Sequence, residues 1–367
     1  MKILFMTNAP AGYRVDFFNC LGELCELTVL FESEHDKSRN RSWESNDFKN
    51  FNAVFLKGIK YGDADAFCPE VVKFLNKKYD LIVIGAYHTP TGMLAGQYLR
   101  LKKKSFIISS DGGMVKNDSK LVFAIKKKLI SSAAYWISTG VETNKYLMHY
   151  GAERDKIYIY PFTSISESML LKSVPTREEK SILKKKLGIE YDKYIIAVGQ
   201  FIHRKGFDIL LRSVKYIHGN VGVYIIGGKE TVEYRQLIEN DQLTNVHFLN
   251  FLEKQELGNY YKAADLFVLP TREDIWGLVV NEAMAYALPV ITTTKCVAGL
   301  EMVDNGSDGF LIESEDYLSL AEKCNYILSS DNQSMCQNAL LKANKYTLEN
   351  MARIHYEIFN KIKKLEE

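Results

Sequence analysis

The 367-residue sequence has no G-x-G-x-x-G fingerprint and no G-x-x-x-x-G-K-[ST] loop. Its first apolar run leads into Ala9-Pro10-Ala11-Gly12-Tyr13-Arg14, a turn with one glycine. A later run, Tyr224-Ile225-Ile226, leads into Gly227-Gly228-Lys229-Glu230. Neither turn can wrap a pyrophosphate as those fingerprints do, which argues against a dinucleotide oxidoreductase and a P-loop enzyme. Six cysteines (Cys20, Cys25, Cys68, Cys296, Cys324, Cys336) stand without a C-x-x-C pair. That speaks against a zinc site or a disulfide framework and fits a reducing cytoplasm. An excess of one charge is missing too, with 47 Lys+Arg against 45 Asp+Glu, so bulk-charge nucleic-acid binding is not expected. The apolar start Met1–Met6 is too short for a signal-peptide core. The longest uncharged run, the 19 residues Leu81–Leu99, holds His88, Pro90, Gly92 and Gln97, which a membrane span tolerates poorly. A soluble, cytoplasmic protein is expected.

What is present is an alternation. With 47% hydrophobic and 25% charged residues, the chain has the composition of a folded protein, and its length suggests two domains. Strand candidates are Lys2–Asn8, Leu27–Glu32, Ala53–Lys57, Asp80–Ala86, Ser105–Ser110, Tyr135–Thr139 and Lys156–Pro161. Helix-length stretches such as Pro69–Lys78 and Met93–Lys103 lie between them. Around Ser164–Glu190 the pattern lapses into a polar connector. It restarts at Tyr194–Gly199, Val223–Gly227, Val246–Phe251, Leu266–Pro270, Val290–Thr293 and Gly309–Ile312. Strands alternating with helices mean an α/β fold, here two doubly wound, Rossmann-like parallel-sheet domains. The boundaries expected are 1–165 and 166–345, followed by a C-terminal segment, 346–367, whose helix Tyr346–Lys364 could pack on either domain, the N-terminal one included. Such sheets bind ligands beyond the carboxyl ends of their strands, so a ligand cleft between the two domains is expected.

Charge is unevenly placed. Residues 1–170 hold 23 Lys/Arg against 18 Asp/Glu, and basic residues gather at Lys102-Lys103-Lys104 and Lys126-Lys127-Lys128. Two readings stay open: a solvated helix face, or a basic, partly apolar patch for anionic lipid headgroups.

The most informative stretch runs from Leu269-Pro270-Thr271-Arg272-Glu273-Asp274-Ile275-Trp276-Gly277-Leu278-Val279 through Asn281-Glu282-Ala283-Met284 to Pro289-Val290. A strand ends at Pro270, a loop carries acids, and a helix opens near Trp276, where free N–H groups can hold phosphate or sugar oxygens. Asp274 stands where it could cap that helix. Glu282 is an odd choice in so apolar a helix, and either two ribose hydroxyls or a partner arginine would satisfy it. This segment resembles the signature of glycosyltransferase family 4, retaining enzymes of the GT-B fold, whose two glutamates are separated by seven residues. Glu282 matches the second. Asp274 falls at the first, with Glu273 one residue early, and Ala287 replaces a family glycine. A second stretch, Val198-Gly199-Gln200-Phe201-Ile202-His203-Arg204-Lys205-Gly206, resembles the family's Val-Gly-Arg and Lys-Gly. Lys205 fits its position; Gln200 replaces the arginine, and Arg204 stands close enough to substitute. Asn245–Leu252 with Glu256-Leu257 is similar to the segment cradling the base, and Gly12 to the glycine loop near the phosphates. For the family histidine after the fifth strand this chain has Ser110-Asp111, with His88 as the alternative.

The resemblance implies two domains facing each other across a cleft, the first for the acceptor and the second for a UDP- or GDP-sugar. It implies a retaining hexosyl transfer to a glycan or lipid-linked glycan in surface-polysaccharide synthesis. Donor contacts would come from Gly12, Gly199, Gln200, Arg204, Lys205, Leu252, Asp274, Ile275, Trp276, Gly277, Leu278, Val279 and Glu282. Asp111, Lys205, Asp274 and Glu282 would carry the chemistry, and Arg14 and His88 the acceptor. No metal or other cofactor is expected, because side-chain cations can neutralise the diphosphate. The candidate partners are the donor, the acceptor and an anionic membrane surface on the inner face of the cell membrane. Two further readings share the architecture: a nucleotide-sugar 2-epimerase and a non-catalytic partner subunit.

Overall fold

The computed structural model describes residues 1–35, 46–61 and 63–367. These form two compact units, Met1–Ser164 with Tyr346–Glu367, and Ile165–Lys345. The first begins with β1 (Lys2–Thr7), α1 (Gly12–Gly22), β2 (Glu26–Phe31) and β3 (Asn52–Phe55). A short antiparallel hairpin follows, β4 (Ile59–Tyr61) and β5 (Asp65–Phe67). Next come α2 (Val71–Leu75), β6 (Leu81–Ile84), α3 (Pro90–Leu101), β7 (Ile107–Ser110), α4 (Lys120–Ile130), β8 (Tyr135–Ser138), α5 (Val141–His149) and β9 (Ile157–Ile159). The large sheet has the order β3-β2-β1-β6-β7-β8-β9, and every pairing in it is parallel.

The second unit comprises α6 (Arg177–Lys186), β10 (Lys193–Val198), α7 (Phe207–Val214), β11 (Val221–Ile226), α8 (Val232–Asn240), β12 (Val246–Leu249) and α9 (Lys254–Ala263). It continues with β13 (Leu266–Leu269), α10 (Leu278–Ala285), β14 (Val290–Thr293), α11 (Val297–Met302), β15 (Gly309–Ile312), α12 (Tyr317–Ser329) and α13 (Gln333–Ala343). Its parallel sheet runs β12-β11-β10-β13-β14-β15. The chain then returns to the first unit as α14 (Leu348–Glu366), which packs on α1.

In both sheets the strand order reverses beside the first strand, between β1 and β6 and between β10 and β13. At such a switch point the two following connections leave in opposite directions and open a space at the carboxyl ends. The loops after β10 and β13 therefore meet, and they are the two stretches singled out above. The central strands are continuous apolar runs because both of their faces are covered. All six residues of β11 are buried.

Three local expectations change. The hairpin was not anticipated, since strands of three residues are too short to show a period of two. Of the helix expected over Pro69–Lys78, only Val71–Leu75 forms, closed by Asn76 as C-cap. The connector contains α6, started by a capping box. Glu179 N–H donates to Thr176 Oγ1 at 3.2 Å, and Thr176 N–H to Glu179 Oε2 at 2.7 Å. This Thr-x-x-Glu signature outweighs the polar composition.

Candidate functional site

In the second unit, β10 ends in Gly199-Gln200, and a short 3₁₀ turn, His203–Lys205, precedes α7. Gly206 between them has φ +69°, and a Cβ there would collide with the carbonyl oxygen of Pro270. Only glycine combines that left-handed backbone with so close an approach. The Lys-Gly pair thus presses the cationic turn onto the loop after β13. Lys205 Nζ donates to Asp274 Oδ2 at 2.5 Å, and Arg204 Nη1 lies 3.4 Å from Asp274 Oδ1. Arg204 Nη1 also donates to the Glu273 carbonyl at 2.8 Å. Lys205 and Asp274 are 12% and 11% exposed in their side chains while Arg204 is 42% exposed, so the pair is inside and the second cation at its rim. The stem of Lys205 runs over Gly199.

Asp274 does not cap α10. Its carboxylate is taken by Lys205, and its backbone is stitched to the next segment by Asp274 N–H to Lys295 O (2.9 Å) and Val297 N–H to Asp274 O (3.1 Å). The cap position falls to Gly277, at φ +103°, and the helix begins at Leu278 rather than Trp276. A Cβ at Gly277 would sit 2.7 Å from Cys296 Sγ. Trp276 is buried, its indole N–H donating to Asn281 Oδ1 at 2.8 Å. Trp276 thus keeps its side chain inside the fold, and its carbonyl accepts from Ala298 N–H at 2.8 Å. Ile275 is exposed, and Leu278, Val279 and Leu252 are half-buried.

Glu282, about one and a half turns along from Gly277, is half-buried and accepts from Tyr261 Oη at 3.1 Å. Tyr261 is thus one partner of this carboxylate inside the fold. Burial, then the nearby Glu282, hold the Tyr261 hydroxyl protonated far above its ordinary range. Arg272 was overlooked in the sequence. Its guanidinium donates to Asp208, to Glu315 and to the His203 carbonyl. The available signal was Asp208, an acid among the apolar residues Phe207–Leu211 that needs a cation.

In the first unit, Arg14 Nη2 pairs with Asp111 Oδ2 at 2.5 Å, Nη1 donates to Thr7 Oγ1 at 2.9 Å and Nε to Tyr13 Oη at 3.2 Å. Burial works against the guanidinium charge, but Asp111 together with Tyr13 and Tyr160 outweighs it and raises its pKa. Tyr160 Oη donates to Asp111 Oδ1 at 2.8 Å, so both Asp111 oxygens are engaged. Ser110 Oγ turns back to the Gly112 carbonyl at 2.9 Å. His88 lies beyond β6, rim-exposed yet crowded enough that desolvation lowers its pKa, with Asp65, Arg14 and Asp111 as its charged surroundings. Gly12 is the first residue of α1, and His355 of α14 lies tilted against the Tyr160 ring at 4.3 Å between centroids. One Asp-x-Asp triplet, Asp63-Ala64-Asp65, belongs to the β4–β5 hairpin. It too went unread, and among the described residues no group of three or more His, Cys, Asp or Glu side chains could hold a metal ion.

Comparison with known proteins bears on the second unit most directly. Residues 179–345, a little under half of the chain, match the family model described as Glycosyl transferases group 1. An uncharacterised 41.2 kDa protein in the cps region of Klebsiella pneumoniae is 29% identical over 174 residues, 47% of this chain and 46% of that protein. The capsular polysaccharide biosynthesis glycosyltransferase CapM of Staphylococcus aureus is 30% identical over 148 residues, 38% of each chain. The matches thus span about half or less of the length of these relatives. Among solved structures, Anabaena HepE in complex with UDP and glucose superposes with a TM-score of 0.75 at 17% identity, covering 98% of this chain and 100% of that one. Sucrose-phosphate synthase from Thermosynechococcus elongatus gives 0.75 at 17%, covering 99% of each. The fold is GT-B, built from two Rossmann-like parallel-sheet units.

Proposed function

We propose that this protein is a retaining glycosyltransferase of family 4, moving a hexose from a UDP- or GDP-sugar to a glycan or lipid-linked glycan in polysaccharide biosynthesis. The observation that carries this reading is the turn His203–Lys205, whose Arg204 and Lys205 converge on Asp274 beside the start of α10. Two cations at a helix N-terminus invite an anion. In the proposed role they hold the donor diphosphate, and Lys205 stabilises the charge that grows as the glycosidic bond breaks. Asp274 and the amides of 275–279 receive the sugar hydroxyls, and Glu282 the ribose. Gly12, Gly199, Gln200 and Leu252 complete the donor contacts. The first unit recognises the acceptor through Arg14 and His88, and Asp111 is assigned to the chemistry.

A retaining transfer of this type lets the departing phosphate oxygen help deprotonate the incoming hydroxyl. The protein then has to supply position and charge, and neither a metal nor a cofactor is required. Names among the relatives fit: CapM is a capsular polysaccharide glycosyltransferase, and HepE was crystallised with UDP and glucose. The test is incubation of the purified chain with UDP- and GDP-hexoses, with and without oligosaccharide acceptors. Acceptor-dependent release of nucleoside diphosphate is expected. An epimerised sugar formed from donor alone would favour the 2-epimerase reading, and no turnover with any pair would favour the silent subunit.

We further propose contact with an anionic membrane surface through α4. Ile130 is the one buried residue of this helix, while Leu121, Val122 and Ile125 are exposed beside Lys120, Lys127 and Lys128. The two lysine triplets do not contribute whole. Lys126 is 2.8 Å from Asp118, and Lys104 donates to the Leu75 carbonyl at 2.8 Å. What remains is an outward apolar strip with lysines at its borders, the composition of an interfacial helix. Among the described residues no helix is long and apolar enough to cross a membrane.

A further inference from the structure

We propose that Arg272 is a positioning residue for Arg204 and Lys205, clamping the turn that carries them so that both cations stand ready for a diphosphate. The inference rests on the diphosphate reading of that turn and adds to it a residue that touches no substrate.

All five N–H donors of the guanidinium are in use. Nη1 donates to the His203 carbonyl at 2.7 Å and to Asp208 Oδ1 at 2.8 Å. Nη2 donates to Asp208 Oδ2 at 2.7 Å and Glu315 Oε2 at 3.1 Å, and Nε to Glu315 Oε1 at 2.5 Å. The same stretch grips the next peptide as well. Arg272 N–H and Thr271 Oγ1 both donate to the Arg204 carbonyl at 2.8 Å. Two consecutive carbonyls of the cationic turn are thus held from one segment, and Gly206 closes the turn against Pro270. Such a grip fixes the backbone of 203–206 without using a side chain that a ligand would need.

The acceptors on Arg272 are arranged for it. Asp208 is buried in the first turn of α7, the helix that follows the cationic turn, and Arg272 keeps its carboxyl ionised against the cost of burial. Glu315 has φ +71°, a left-handed backbone uncommon for glutamate. Its carboxylate completes the ring of acceptors from the turn after β15. A lysine could not replace this fork, because one ammonium cannot reach Asp208, Glu315 and the His203 carbonyl in fixed directions. A clamp lowers the ordering that a diphosphate must impose on binding, which is how preorganised charge acts.

The test compares Arg272→Lys with the unchanged protein, using UDP and GDP as diphosphate probes and uridine and guanosine as controls in calorimetry. Faster amide exchange over residues 203–206 is expected in the variant. Diphosphate affinity should fall by about ten-fold while that of the binding nucleoside stays within about two-fold, as for a misplaced positioning shell. Glu315→Gln, at a half-exposed side chain, provides a second variant if Arg272→Lys does not fold, and should give the same selectivity at about two- to five-fold. Unchanged diphosphate affinity in a folded variant overturns the proposal. So does equal loss of nucleoside and diphosphate, which is what a merely structural arginine would produce. If the unchanged protein binds neither UDP nor GDP, the diphosphate reading falls, and this inference with it.

Discussion

Lys205 and Glu282 carry different tasks, and the difference is measurable. In the proposed mechanism Lys205 faces charge that grows in the transition state, so its removal should act on kcat. Lys205→Ala should lower kcat by roughly 10²–10³, the scale of one lost preorganised donor. The substitution also leaves Asp274, which is 11% exposed in its side chain, with only the longer Arg204 contact, and a poorly paired buried carboxylate destabilises the fold. The double variant Lys205→Ala, Asp274→Asn, read against Asp274→Asn alone, removes that complication. Steady-state kinetics should show its kcat still reduced with the melting temperature restored; wild-type turnover would remove Lys205 from the diphosphate. Glu282→Gln keeps an acceptor for Tyr261 Oη and should raise donor KM more than it lowers kcat. At this scale the sequence was informative about residue type and poor about partners. The partner of Asp274 is 69 residues away, and only its local neighbours suggested a helix cap. Arg272 stayed hidden for the same reason, as its acceptors lie on the turn before α7, in α7 itself and on the turn after β15.

Helices α4 and α14 show what one element contributes. In α14 the buried residues Leu348, Met351, Ala352, His355, Ile358, Phe359 and Ile362 form one stripe at helical spacing. His355 is the polar member, with its Nδ1 2.8 Å from the Met351 carbonyl and its ring against Phe17, Tyr160 and Phe359. Burial, opposed by the Met351 carbonyl and Asp111, pushes its pKa down to about 4. The unfolded chain, with histidine near 6.5, takes up its proton first as pH falls. His355 therefore costs no stability above about pH 6.5 and progressively destabilises the fold down to pH 4, by at most about 3 kcal/mol. Urea denaturation of His355→Phe should match wild type at pH 7.5 and exceed it at pH 5; parallel curves at both values would refute the linkage. For α4 the readout is vesicle co-sedimentation at low salt. Binding to vesicles rich in anionic lipid is expected, lost at high salt and in Leu121→Ser, Ile125→Ser. Failure to bind at low salt returns the helix to a solvated face. The sequence showed the lysine triplets but not their depletion by Asp118 and the Leu75 carbonyl, because both partners lie outside α4.

At the scale of the whole molecule, the proposed mechanism draws the cations for the diphosphate from the second unit itself. Transfer should proceed at full rate in excess chelator. A collapse restored by manganese would overturn the metal-free mechanism and return attention to Asp63 and Asp65. The α/β class, the strands of both large sheets and the two stretches at the β10–β13 switch point were legible in the sequence. Strand and helix periods, glycine turns and the acid spacing are local or nearly local signals, so order along the chain carries them. Other features depended on contacts between residues distant along the chain. The pairing of Lys205 with Asp274 is one, and the engagement of both Asp111 oxygens by Arg14 and Tyr160 is another. The return of α14 to the first unit is a third. A one-dimensional pattern says which side chains want a partner. Which partner each one meets is decided by tertiary structure, because ion pairs and hydrogen bonds act over a few ångströms and only folding brings those groups that close.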